Sequence, residues 1–220
     1  MTFNSCSFFL NVEHSRTSLN VERFPEVIIL NLIGIALFGY IIGSLPTGYL
    51  IGRAKGIDIF QHGSGNIGAT NVWRTFGPAL GLLAFAGDAG KGVLSVYVGS
   101  LYGEWPAVVA AACALLGHSW SIFLRFKGGK IMATALGVFI MLTPNAAFVS
   151  FGIWALVLLL SRYVSLSSIT AAVSLPVMIA AFGYHRSYVL FSALAAVVAV
   201  YKHRGNIKRL LNGTEQRMGR

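Results

Sequence analysis

The sequence predicts an all-α membrane protein with seven transmembrane helices, its N-terminus outside and its C-terminus in the cytoplasm. Three observations carry that prediction. Of 220 residues, 55% are hydrophobic and only 11% charged, against roughly 25% charged in an ordinary soluble domain. A water-soluble fold of this size would lack the polar side chains to cover its surface, so the bilayer is the natural solvent. Apolar runs occupy about 27–51, 79–101, 106–124, 131–143, 145–160, 165–183 and 187–201. Finally, the Lys and Arg residues alternate between rich and poor connections along the chain.

The runs are unequal. The first, second, third and sixth are long enough to cross about 30 Å of hydrocarbon as helices. The fourth, fifth and seventh are short by up to about six residues. These are expected to tilt, to pack inside the bundle or to cross only part of the way. Residues 1–24 carry mixed charge without the basic start and small-residue cleavage site of a signal peptide. The organisation expected is a poorly ordered extension over 1–26, a membrane domain over 27–215 and a basic tail over 216–220.

The connections set the orientation. Arg53, Lys55 and Arg74 follow the first run, Arg125, Lys127 and Lys130 the third, Arg162 the fifth, and six Lys and Arg lie from Lys202 onward. The intervening connections hold Arg186 alone. Basic residues stay in the cytoplasm, so seven crossings with a cytoplasmic C-terminus satisfy the count. The formal charge of +10 is thereby explained by topology, and nucleic-acid binding is not expected. Cys6 and Cys113 have no metal spacing and form no disulfide framework.

The glycine-rich polar motifs all fall on the basic side, where loops on a rigid scaffold can hold chemistry. The first runs from Gly63 through Ser64, Gly65, Asn66, Gly68, Thr70 and Asn71 to Arg74. It satisfies G-x-G-x-x-G, yet no βαβ unit surrounds it, so it is not a dinucleotide fingerprint. Its glycines can let backbone N–H groups converge on an anion, and Arg74 can clamp a phosphate at two points. The bland alternative is a tight turn with capping residues. The second motif is Gly117-His118 followed by Lys127-Gly128-Gly129-Lys130, a cationic loop of close approach or simply a positive anchor. His118 is a candidate general base or a histidine bonded near a helix end.

A third cluster, Arg162, Ser165, Ser167 and Ser168, reads equally as polar site or helix cap. The fourth, His203, Arg204, Asn206, Lys208, Arg209 and Glu215, reads as part of a site or as a basic tail near anionic lipid. Asp88 and Lys91 can share one helix face. At membrane depth such groups are functional or paired, and these are expected to neutralise each other near the cytoplasmic end. The run Gly87–Gly92 is no P-loop, because Phe85 and Gly92 stand at its glycine and Ser/Thr positions. There is no H-x-x-x-x-D arrangement, no G-x-S-x-G elbow and no Cys/His metal cluster.

Taken together, G-S-G-N-I-G-A-T-N-x-x-R (Gly63 to Arg74), D-x-x-K-G (Asp88 to Gly92), G-H with F-K-G-G-K (Gly117 to Lys130), R-Y-x-S-x-x-S (Arg162 to Ser168) and H-R-x-N-I-x-R-L-x-x-G-x-E (His203 to Glu215) resemble the bacterial acyl-phosphate:glycerol-3-phosphate acyltransferases, the PlsY family. The resemblance covers about residues 27–215. It implies seven helices, an active site at the cytoplasmic face of the inner membrane, and transfer of a fatty acyl group from long-chain acyl phosphate to the 1-hydroxyl of glycerol 3-phosphate. It implies no cofactor and no metal, with membrane lipids and an acyl-phosphate-producing enzyme as partners. Ser64, Asn66, Asn71, Arg74, Lys127, Lys130, Arg162, Ser165 and Asn206 would hold the two anions, with His118 or a substrate phosphate oxygen taking the proton. Arg74→Ala or Lys127→Ala is expected to abolish turnover. The competing class is an organophosphate or anion transporter, which would show repeated halves and a midplane site. One departure stands out: the family reads glycine after F-K-G-G-K, and this chain has Ile131, which is expected to forbid φ > 0 there.

Overall fold

The structure is a computed structural model and describes residues 25–219. The expected extension lies outside it up to residue 24. Helix α1 (Pro25–Ser44) begins two residues before the boundary expected at 27. All seven apolar runs are helical, but the first is not one helix. Pro46 lacks a backbone donor and pushes its predecessor out of the helical region, so α1 ends at Ser44 and α2 (Thr47–Ala54) restarts beyond it.

The remaining apolar runs form α4 (Pro78–Ser100), α5 (Glu104–Ser119), α6 (Met132–Leu142), α7 (Pro144–Ser161), α8 (Val164–Ala181) and α9 (Arg186–Lys202). Proline opens α4 and α7, where its missing N–H is not needed. Two motifs contain short helices, α3 (Ala69–Phe76) and α10 (Arg204–Leu211). Five segments are long and apolar enough to cross a membrane: 28–54, α4, 104–124, α7 and α8. The fifth run, expected to be short, is thus a full 18-residue helix. At 11, 16 and 17 residues, α6, α5 and α9 are the short ones, and α5 reaches a 21-residue span only by running on to Leu124.

The break at Pro46 strands the carbonyl of Leu45. Lys91 reaches in from α4 and donates to it at 2.9 Å. The same ammonium lies 2.9 Å from Asp88 Oδ1, which also accepts from Thr47 Oγ1 at 3.1 Å. The two ionisable groups therefore pair, as their spacing suggested. They sit near the middle of the 23-residue α4 rather than near its end, and they clamp the helix break.

Helix α1 lies against α5, α4 against α5 and α6, and α7, α8 and α9 pack in sequence. Small residues permit these approaches. A Cβ added at Gly39 of α1 would stand 2.5 Å from the Ala110 carbonyl of α5, and one at Gly43 would strike that of Ala114. The outer faces are apolar: Leu159 and Leu160 are 77% and 79% exposed, a surface suited to lipid. The main buried cluster joins α4, α5 and α6 to α7–α9 through Val96, Ala111, Val138, Phe139, Ala146 and Ile179.

Candidate active site

The G-S-G-N loop is shaped by one buried side chain. Asn71, in the first turn of α3, accepts from Ser64 N at 2.8 Å and donates to the carbonyls of Ile59, His62 and Asn66 at 3.3, 3.0 and 2.8 Å. Its hydrogen-bonding capacity is spent on the loop, so it shapes the site rather than holding an anion. Gly63 and Gly65 take φ of +58° and +66°, which glycine adopts freely. Asn66 Oδ1 accepts from Gly68 N at 2.9 Å. The loop so formed presents Ser64, Asn66, Gly68, Thr70 and Arg74 to a single cavity.

Lys130, Ser165, Ser168, His203, Asn206 and Glu215 enter the same cavity from the other side. Lys130 Nζ donates to Asn206 Oδ1. Asn206 Nδ2 and Ser165 Oγ donate to Glu215 Oε1 at 2.6 and 2.8 Å, and Arg209 Nε donates to Oε2 at 2.7 Å. Burial pushes the Glu215 carboxyl up, but those three donors and the Arg209 charge outweigh it and hold its pKa below the ordinary value. Glu215 is thus engaged as a brace for Asn206, Ser165 and Arg209, and its negative charge makes it no phosphate ligand.

The cations of the site are partly desolvated. Burial, then the Arg209 charge, brings the Lys130 ammonium down to about 8, against the opposing pull of Glu215. Burial also lowers Arg74, with Glu215 opposing; its Nη2 donates to the Gln216 carbonyl at 3.1 Å. His203 is brought down to about 4, chiefly by burial. Its Nδ1 faces the Ala199 carbonyl at 2.7 Å, so Nδ1 carries the proton and Nε2 is left as an acceptor.

Asp88 and His118 also line the cavity. His118 Nδ1 stands 3.8 Å from Asp88 Oδ1 and has no hydrogen-bond partner among the described residues. Several expected site residues lie elsewhere. Gly65, Lys91, Lys127, Gly128, Gly129, Arg162, Arg204 and Arg209 are outside the cavity lining. Lys127 and Arg162 are exposed, and Arg204 stacks on Tyr201. Gly128 and Gly129 serve close approach: an added Cβ would strike the His118 carbonyl from the first and the His118 ring from the second. Ile131, expected to forbid positive φ, in fact adopts φ +61°.

Behind the polar end the cavity continues between α4 and α6–α9. Its wall there is Phe85, Met132, Leu136, Phe139, Phe151 and Trp154, with alanines of α8 and α9 leaving room. This apolar half was not anticipated, because in an apolar run the residues facing a cavity look like those facing lipid.

A family profile described as glycerol-3-phosphate acyltransferase matches residues 33–213. The chain belongs to this family. Among curated glycerol-3-phosphate acyltransferases, that of Desulforudis audaxviator is 56% identical over 180 residues, 81% of this chain and 91% of that protein. The Carboxydothermus hydrogenoformans protein is 50% identical, over 84% and 95% of the two chains. Crystal structures of PlsY (YgiH), an integral membrane glycerol 3-phosphate acyltransferase, are similar in fold. Its glycerol 3-phosphate form has a TM-score of 0.83 at 38% identity, covering 86% of this chain and 96% of that one, and its lysophosphatidic acid form a TM-score of 0.81. The fold is therefore that of a multi-pass acyltransferase of the membrane. The stretch matched to the glycerol-3-phosphate acyltransferase family includes every candidate residue except Glu215.

Proposed function

We propose that this acyltransferase takes its acyl group from a long-chain acyl phosphate and delivers it to the 1-hydroxyl of glycerol 3-phosphate, releasing lysophosphatidic acid and inorganic phosphate. Membership of the family makes the chain a glycerol-3-phosphate acyltransferase; the donor, the residue roles and the sidedness are our reading. The observation that carries it is the single cavity, which joins a mouth bearing Arg74 and Lys130 to an apolar recess ending among α6–α9. A reactant with an anionic head and an alkyl chain fits both halves at once.

In this reading Ser64, Asn66, Thr70 and the α3 N-terminus face one phosphate, with Arg74 as its bidentate clamp. Lys130, His203 and Asn206 face the other, and Ser165 and Ser168 complete the wall. The glycerol hydroxyl oxygen attacks the acyl carbonyl carbon, the bond from that carbon to the phosphate oxygen breaks, and phosphate departs with the electron pair. The departing phosphate takes the hydroxyl proton. A phosphate oxygen titrates near about 6, whereas His203 at about 4 is the weaker base. Holding the two reactants in line supplies about 7–11 kcal/mol, and each donor aimed at developing charge about 3–4 kcal/mol.

The Lys and Arg alternation supports seven crossings, α6 and α9 included, with the cavity mouth on the cytoplasmic side of a bacterial inner membrane. The catalytic domain is taken to run from the start of α1 at Pro25, two residues before the expected 27, to residue 215, followed by the tail 216–220. Protein purified in micelles, given acyl phosphate and glycerol 3-phosphate, should release phosphate and lysophosphatidic acid in equal amounts. Product from acyl-CoA but not from acyl phosphate would rule out the donor. Labelling cysteines placed at Ser64 and at the exposed Lys127 should need access from the cytoplasm for both; opposite sidedness would remove the shared cavity.

A further inference from the structure

We infer that Ile131 sets which acyl chains the enzyme accepts, by closing the cavity wall beside the carbonyl and the first methylenes of the donor. The inference rests on the acyl-phosphate reading above.

Ile131 has φ +61° and ψ −14°, in the left-handed region that a β-branched residue rarely enters. Such a conformation persists where its surroundings dictate it, and here both sides are anchored. Upstream, Gly129 N donates to the His118 carbonyl at 2.9 Å and Lys130 reaches Asn206. Downstream, the Ile131 carbonyl accepts from Ala135 N at 2.7 Å in the first turn of α6. The turn is fixed, and the isoleucine is held in it. The side chain is 1% exposed, belongs to the main buried cluster and stands in the cavity wall.

Its place in the chain fixes its place along the substrate. Lys130, one residue before, belongs to the anionic-head end. Met132, Ala135 and Leu136, just after, line the apolar end. A donor with its phosphate at Lys130 and its tail along α6 passes residue 131 at the carbonyl and the carbons next to it. Isoleucine fills the space there, so a methyl branch at C2 or C3 has nowhere to go. Deeper in, Ala171, Ala172, Ala195 and Ala196 give the tail a roomier wall.

The test compares kcat/KM for a straight-chain acyl phosphate with that for its 2-methyl and 3-methyl analogues, in the native protein, Ile131→Ala and Ile131→Val. A methylene's worth of space in an apolar pocket is worth about 10-fold or more in discrimination. Ile131→Ala should therefore shift the branched-to-straight ratio toward the branched donor by at least about 10-fold, with Ile131→Val moving it the same way by less. A purely structural role would slow both donors alike and leave the ratio where it was, and that result in both variants overturns the inference. If the alanine variant fails to fold, the valine variant, which keeps the β-branch, decides alone. A native protein that makes no product even from the straight-chain acyl phosphate would overturn the donor assignment, and this inference with it.

Discussion

The ammonium of Lys130 donates to Oδ1 of Asn206, an amide whose other end is held by Glu215. The chain of bonds runs from the end of the F-K-G-G-K loop through α10 to the C-terminal segment, and it fixes where the cation of the site stands.

That cation gives a pH prediction. Burial and Arg209 hold Lys130 at about 8, well below the ordinary lysine value. The ammonium is present below that pH and lost as pH rises through it. In the free enzyme, kcat/KM should therefore fall on the alkaline side from about pH 8, with the loss of one proton. In Lys130→Arg, whose guanidinium does not titrate, the alkaline fall should shift beyond pH 10. An unmoved alkaline limb in that variant would assign the titration to another group.

Glu215 braces the same unit. Glu215→Gln keeps the shape but removes the charge that holds Arg209 and turns one acceptor into a donor. Losing hydrogen bonds to a charged group costs about 1.5–3 kcal/mol, so kcat/KM should drop by about 10-fold or more. The folded-state pKa of this carboxyl is depressed. Its contribution to stability is thus complete above the ordinary glutamate range and lost as pH falls through the folded value. Thermal midpoints of the native protein should decline below about pH 4, and less steeply in Glu215→Gln.

Much of the site was legible in the sequence because polar residues in an apolar chain are conspicuous. Ser64, Arg74, Lys130, Ser165 and Asn206 stand out by type, the resemblance gives them their anion-holding roles, and one cavity gathers them. Depth was not legible. Lys127 and Lys130 look alike as letters, but the loop turns one outward and the other in. Asn71 reads as an anion ligand and Glu215 as a member of the basic cluster, although one is spent on backbone carbonyls and the other on Asn206, Ser165 and Arg209. The break at Pro46 was hidden because Leu45 and Tyr49 continue the apolar pattern across it. Ile131 defied its expected backbone region because anchors on both sides outweigh its intrinsic preference.

The two lysines of that loop make a direct comparison. The sequence reading expects Lys127→Ala to abolish turnover just as Arg74→Ala does. With Lys127 exposed and outside the cavity, Lys127→Ala should keep at least a tenth of native kcat/KM. Arg74→Ala and Lys130→Ala, each removing a charged donor at the cavity, should lose about 100-fold or more. Steady-state kinetics on the three variants at equal protein in micelles check the order, and equal losses in all three would mean that the loop closes further on substrate than it stands here.

The buried pair on α4 bears on folding rather than chemistry. Asp88 and Lys91 are 3% and 4% exposed at their side chains, and Lys91 also satisfies the stranded Leu45 carbonyl. Removing one partner leaves a buried charge unpaired, which costs about 3–5 kcal/mol. Lys91→Met should be at the upper end, since it frees both the Asp88 carboxylate and that carbonyl. Asp88→Asn keeps an acceptor for Thr47 and leaves the ammonium its carbonyl partner, so it should cost less. The double variant removes both charges and should be more stable than Lys91→Met alone, because the carboxylate no longer needs a partner. Thermal unfolding midpoints of the four proteins in one detergent give the cycle. A double variant whose loss equals the sum of the single losses would mean that the two side chains do not interact, contrary to their 2.9 Å separation.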